Sequence, residues 1–148
     1  MARPYPRSVH FSLVDRILEQ TPDRIVTVKN VSAAEEYLQD HFPTFPVLPG
    51  VLMLEAMVQA ARHLAEGEGR PRLVLGGVRA VKYGRFVKPG ATLRVEVNLL
   101  KSHDDGRLEF KGEARLLEPK APPAEAPVAV SGKFFLRPIR PSMTAALR

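Results

Sequence analysis

From Gly50 the chain runs through Val51, Leu52, Met53, Leu54, Ala56, Met57, Val58, Ala60, Ala61 and Leu64, apolar on nearly every side of a helix. That is the pattern of a helix buried all round, not of one lying on a surface. Pro43, Pro46 and Pro49 stand immediately before it. Each proline fixes φ and biases the residue before it away from the helical region, so coiling cannot begin before Gly50 and His41 is held outside the helix. A helix of this kind needs something wrapped around it, and that requirement restricts the architecture more than any other feature of the chain.

The rest of the sequence supplies the wrapping. After a break at Glu66-Gly67-Glu68-Gly69-Arg70-Pro71, residues 73–87, 91–103, 107–117 and 128–136 are rich in strand formers, and Asp104-Asp105-Gly106 is a hairpin turn signal. Upstream, an extended segment at 12–18 leads through Gln20-Thr21-Pro22-Asp23 to a strand at 24–31, where Arg24, Val26, Val28 and Asn30 alternate imperfectly with their neighbours. Ser32 and Glu35 have capping-box spacing, which predicts a short helix ending before Pro43. Residues 118–127 are proline-rich and are expected to form a mobile surface loop, and the tail from Pro138 is expected to be poorly ordered. With 148 residues, 45% of them hydrophobic, the chain suits one domain with one core. The expected class is α+β: an antiparallel sheet curled around one long central helix, with residues 11–138 as its body.

Glu55 sits inside the apolar helix. A helical carboxylate usually marks a solvated face, and Gln59, Arg62 and His63 could extend such a face. Against that, its neighbours at i−4, i−3 and i+3 are Val51, Leu52 and Val58, so the polar stripe is one residue wide. Desolvation there raises a carboxyl's pKa, and a carboxyl that keeps its proton can deliver it to a leaving oxygen. A lone histidine such as His41 is more often structural than catalytic; the helix that follows it gives it weight.

Several classes are excluded. There is no cysteine, so there are no disulfides, thiolate metal sites or cysteine nucleophiles. The four histidines, at 10, 41, 63 and 103, show no metal-ligand spacing, and no phosphate loop, dinucleotide fingerprint or internal repeat is present. No metal or organic cofactor is expected. The N-terminal segment has no apolar core of a signal peptide and no apolar run reaches membrane-spanning length, so a cytoplasmic location without membrane insertion is expected. The net charge of +6 comes without a Lys/Arg run or a base-stacking aromatic set, which argues against nucleic acid.

His41, Phe42, Pro43, Pro46, Pro49, Gly50, Val51, Leu52, Glu55, Ala56, Met57 and Gln59 keep the order and spacing of a known signature. That signature is His-Phe-Pro-Gly, a short proline loop, Pro-Gly-Val-Leu, then Glu-Ala-Met and Gln. It resembles the 3-hydroxyacyl-acyl-carrier-protein dehydratases of type II fatty-acid synthesis, the single-hotdog Z-type enzymes. The similarity extends to Leu13-Val14-Asp15-Arg16-Ile17, Val28-Lys29-Asn30-Val31-Ser32 and Phe86-Val87-Lys88-Pro89-Gly90. Two departures stand out: Asp40 and Thr44 occupy the positions flanking His-Phe-Pro where the family has glycine. A β-branched residue tolerates positive φ poorly, and a carboxylate beside an imidazole raises its pKa. His10 is out of register with the family's N-terminal histidine and receives no role.

The resemblance implies a hotdog fold and dehydration of 3-hydroxyacyl thioesters to trans-2-enoyl thioesters. It implies His41 as base, Glu55 as acid or as the group holding the departing water, and the amide of Gly50 as oxyanion donor at a helix N-terminus. Phe42, Pro49, Val51, Gln59 and Tyr83 would line the substrate, Tyr83 where the family carries a tunnel-gating aromatic, although a core aromatic is the commoner fate of such a residue. The implied partners are acyl carrier protein and a second copy of the chain, in a homodimer whose sites are shared, or a trimer of such dimers. Arg79, Lys82, Arg85 and Lys88 fall where an acidic carrier would dock, although three-residue spacing does not keep strand residues on one face. Two alternatives share the fold: a hotdog thioesterase, in which the helix carboxylate activates water, and a catalytically silent acyl-binding subunit.

Overall fold

The computed structural model describes residues 12–35, 38, 46–67 and 72–139. Period-two alternation organises most of them. Leu93, Val95 and Val97 on one strand, and Leu108, Phe110, Gly112 and Ala114 on the next, are buried, while the residues that alternate with them are half-buried or exposed. Six strands result: β1 (Arg16–Thr21), β2 (Arg24–Asn30), β3 (Leu73–Tyr83), β4 (Thr92–Ser102), β5 (Leu108–Leu117) and β6 (Val128–Pro138). They form one antiparallel sheet in the order β1-β2-β4-β5-β6-β3, so β1 and β3 are its edges. The helix α1 (Gly50–Gly67) precedes β3 and packs on the inner face of the sheet, contacting β2, β4 and β5 most. Phe110 and Phe134 stack beneath it at 5.5 Å between ring centroids. This is the hotdog arrangement, α+β in class.

The helix starts at Gly50, where the prolines end. The hairpin at Asp104-Asp105-Gly106 is also found: Gly106 has φ of 93°, and His103 N–H donates to the Arg107 carbonyl at 2.9 Å. Three expectations are corrected. β3 ends at Tyr83 and does not run to Val87, because the Val87 carbonyl accepts from Leu48 N–H at 2.8 Å and draws the chain to the proline loop. α1 is not buried all round: Val51 is exposed, and Leu52, Leu54 and Glu55 are half-buried. Residues 118–127 are mostly exposed but tied down, since Arg115 donates to the Ala126 carbonyl at 2.9 Å, Leu116 N–H to Pro127, and Ala126 is buried around a 3₁₀ turn at Pro123–Glu125. At the expected capping box, Ser32 Oγ accepts from Ala34 N–H at 3.1 Å, and the Glu35 carboxylate pairs with Lys29. The expected end of the short helix and the tail beyond Ile139 lie outside the described residues.

Candidate active site

The open end of α1 is the first component. Leu52 and Met53 N–H both donate to the Pro49 carbonyl, at 3.0 and 3.2 Å. The first four amides of any helix lack intrahelical acceptors, so Gly50 and Val51 are left presenting theirs at the positive end of the dipole. The Tyr83 ring lies over Gly50: a Cβ there would come within 2.9 Å of it. The absence of a side chain is therefore what allows the ring and the amide to share the site. Together with Val47, Leu48, Met53 and Phe86 they line a largely apolar cavity of about 350 Å³.

In the second turn of α1 stands Glu55, about 7.5 Å from Gly50 along the axis at the usual helical rise. Its Oε1 is shut off from solvent and has no hydrogen-bond partner among the described residues. Burial pushes its carboxyl pKa above the ordinary glutamate range, and the charge of Arg62 offsets part of that rise. The buried Oε1 sets aside the solvated-face alternative for Glu55, since a carboxylate on an open face would be hydrated.

The structure brings Gly50 and Tyr83 together and sets Pro49, half-buried, at the cap. Val51 points away from the core. Gln59 uses its Oε1 to accept from Leu13 N–H at 2.7 Å, anchoring the segment before β1 to the helix. His41, Phe42, Asp40 and Thr44 lie outside the described residues. Arg79, Lys82, Arg85 and Lys88 are all exposed. Contrary to the spacing rule, Arg79 and Lys82 share the outer face, because a bulge lies between them. Arg79 also sits 3.5 Å from Glu109.

Two residues at this site were not singled out from sequence. Phe86 registered only as part of a turn motif, and Arg62 only as an extension of a polar face. The signal for Arg62 was its i+7 relation to Glu55, which puts both on one side of the helix. Among the described residues no group of three or more His, Cys, Asp or Glu could hold a metal ion, and no helix is long and apolar enough to cross a membrane.

Comparison with known proteins agrees with this geometry. A family model described as a FabA-like domain matches residues 5–118. A 3-hydroxyacyl-[acyl-carrier-protein] dehydratase FabZ of Ruminiclostridium cellulolyticum is 36% identical over 132 residues, covering 78% of this chain and 92% of the relative. One from Chloroflexus aggregans is 44% identical over 115 residues, covering 74% and 77%. Among solved structures, the dehydratase heterocomplex ApeI:P of Xenorhabdus doucetiae aligns with a TM-score of 0.62 at 19% identity, covering 86% of this chain and 99% of that one. AziG of S. sahachiroi aligns with a TM-score of 0.63 at 16% identity, covering 84% and 90%. At those identities the two structures speak for the fold alone.

Proposed function

We propose a mechanism from an established premise: the chain belongs to the FabA-like domain family and, within it, to the 3-hydroxyacyl-acyl-carrier-protein dehydratases named FabZ. It removes water from 3-hydroxyacyl thioesters linked to acyl carrier protein, giving trans-2-enoyl thioesters in fatty-acid synthesis. The reaction has three needs: a base for the proton on C2, an acid for the departing 3-hydroxyl, and donors for the negative charge gathering on the thioester oxygen.

His41 takes the C2 proton. The electron pair it frees moves toward the thioester carbonyl, whose oxygen accepts hydrogen bonds from the Gly50 and Val51 amides, and one such preorganised donor is typically worth about a hundredfold or more. The pair then returns to form the C2–C3 double bond as the C3–O bond breaks. Glu55, whose carboxyl pKa burial raises, delivers a proton to the leaving hydroxyl, which departs as water. The observation that carries this assignment is the order along α1: open amides at its start and, in its second turn, a half-buried carboxyl whose Oε1 has no hydrogen-bond partner among the described residues.

A second copy of the chain completes the site. Its support is the side of the molecule where β3 is an edge and Leu75, Val78, Tyr83, Phe86 and Val51 are exposed, an apolar surface that a single chain leaves uncovered. In that dimer His41 of one chain faces Glu55 of the other. Phe42, Pro49, Val51, Gln59 and Tyr83 border the acyl chain. Arg79, Lys82, Arg85 and Lys88 steer the acidic carrier, and the enzyme works in the cytoplasm.

Incubation with a 3-hydroxyacyl carrier, followed by enoyl absorbance and free thiol, tests the assignment. Enoyl product without thiol is expected; thiol release would identify a thioesterase, and neither a silent subunit. His41→Ala should lower turnover about a hundredfold or more without loss of fold. An unchanged rate would remove His41 from the role of base.

A further inference from the structure

β3 contains an irregularity beside the cavity. Its pairing with β6 runs through Val78↔Phe134 and Arg79↔Lys133, then resumes at Lys82↔Ser131 and Tyr83↔Val130. Ala80 and Val81 thus stand together opposite Gly132, one residue more than a regular ladder holds. Ala80 has φ of 54° and is the one residue other than glycine with positive φ among the described residues. A residue with a Cβ adopts that conformation reluctantly, and a strand interior is an unusual place for it. Gly132 makes room: a Cβ there would lie 3.0 Å from Val81 Cγ2 and 3.3 Å from Val81 Cα.

The extra residue decides which way Tyr83 faces. Side chains alternate between the two faces of a sheet, so a shift of one residue exchanges them. Arg79 shares the outer face with its exposed partner Lys133. Counted on regularly from Arg79, Lys82 would turn inward and Tyr83 outward. With the bulge, Tyr83 instead pairs with Val130, which is fully buried against the core, and its ring reaches Gly50. Lys82 goes outward with Ser131. The next contact fixes the result, since Gly84 N–H donates to the Ala129 carbonyl at 2.8 Å.

We propose that Ala80 is a positioning residue. Held in a left-handed conformation over Gly132, it supplies the bulge that turns Tyr83 onto the helix start and makes it a wall of the acyl-thioester cavity. The placement stands on the backbone alone; its bearing on substrate rests on the dehydratase assignment above.

Ala80→Val tests it, because a β-branched residue is the least able to keep positive φ. In the wild type, an NMR contact is expected between the Tyr83 ring and the Gly50 α-protons. In Ala80→Val that contact should disappear and KM for the 3-hydroxyacyl carrier should rise about tenfold, with a smaller change in kcat. Ala80→Gly, which accommodates positive φ, should keep the contact and KM and should melt at a higher temperature. Added to Tyr83→Ala, Ala80→Val should raise KM no further, whereas a merely structural residue would act additively. If Ala80→Val does not fold, Gly132→Ala presses on Val81 and should give the same loss of contact and rise in KM. Retention of the Tyr83–Gly50 contact in the folded variant overturns the proposal, as does loss of the contact with KM unchanged. A wild type that makes no enoyl product is seen before any variant is made, and counts against the dehydratase assignment instead.

Discussion

The β2–β4–β5 part of the sheet and the side formed by α1 and β3 treat their polar groups in opposite ways. In the first, Arg24 bridges Glu19 at 2.9 Å and Glu96 at 2.8 Å, and Leu93, Val95, Val97 and Phe110 are buried beneath. Its one buried orphan among the described residues is a hydroxyl, Thr27 Oγ1. In the second, Glu55 Oε1 and Arg62 Nε, both from ionisable groups, are buried without partners among the described residues. There Val51 is 67% exposed, Phe86 64% and Tyr83 52%. One side satisfies nearly all of its buried polar atoms among the described residues, and the other leaves two ionisable groups unpartnered beside exposed apolar side chains. Buried polar atoms without partners are costly, so they persist where something else, a substrate or a second chain, is to meet them.

The contrast can be broken most severely from the complete side. Phe110→Ala empties a buried, stacked position and should cost about 3–5 kcal/mol in denaturant unfolding. Phe86→Ala on the open side should cost no more than about 0.5 kcal/mol while weakening self-association in a sedimentation experiment. Comparable losses of stability from the two would erase the distinction.

A smaller effect sharpens it. Burial raises the pKa of Glu55, so the folded chain holds that proton at pH values where the unfolded chain has released it. More protons bound in the folded state means that stability falls as pH rises through the window above the ordinary glutamate pKa. Glu55→Gln has no proton to lose. Its stability relative to wild type should therefore be flat below that window and increase across it, as read by melting temperature against pH.

The smallest effect belongs to Arg24→Gln. Glu96 is held below the usual glutamate range by its hydrogen bond from Arg24, but both groups are about a third exposed. A loss under about 1 kcal/mol is expected at neutral pH, shrinking further in high salt.

The sequence made the helix start legible because three prolines and a glycine are local signals, and the Asp104-Asp105-Gly106 hairpin for the same reason. Glu55 could be singled out because its flanks were apolar. The open face of α1 could not be read: periodicity reports that Val51 and Leu52 are apolar, not that the sheet leaves them uncovered. The β3 bulge gave no warning either, since Ala80 lacks the glycine or asparagine that usually marks positive φ, and so Arg79 and Lys82 were expected on different faces. The Leu13–Gln59 hydrogen bond joins residues 46 positions apart and is a tertiary fact with no local trace. Tyr83 was found through its family position, but its place over Gly50 followed only from the strand register.

The most direct test of a site completed by a second chain mixes His41→Ala chains with Glu55→Gln chains under conditions where subunits exchange. Each hybrid dimer then holds one doubly altered site and one intact site. With half the dimers hybrid, activity should return from near zero to roughly a quarter of wild type, given closed two-fold symmetry and independent sites. If exchange is demonstrated and no activity returns, His41 and Glu55 do not meet across the dimer, and the account of the open side as half of an active site is contradicted.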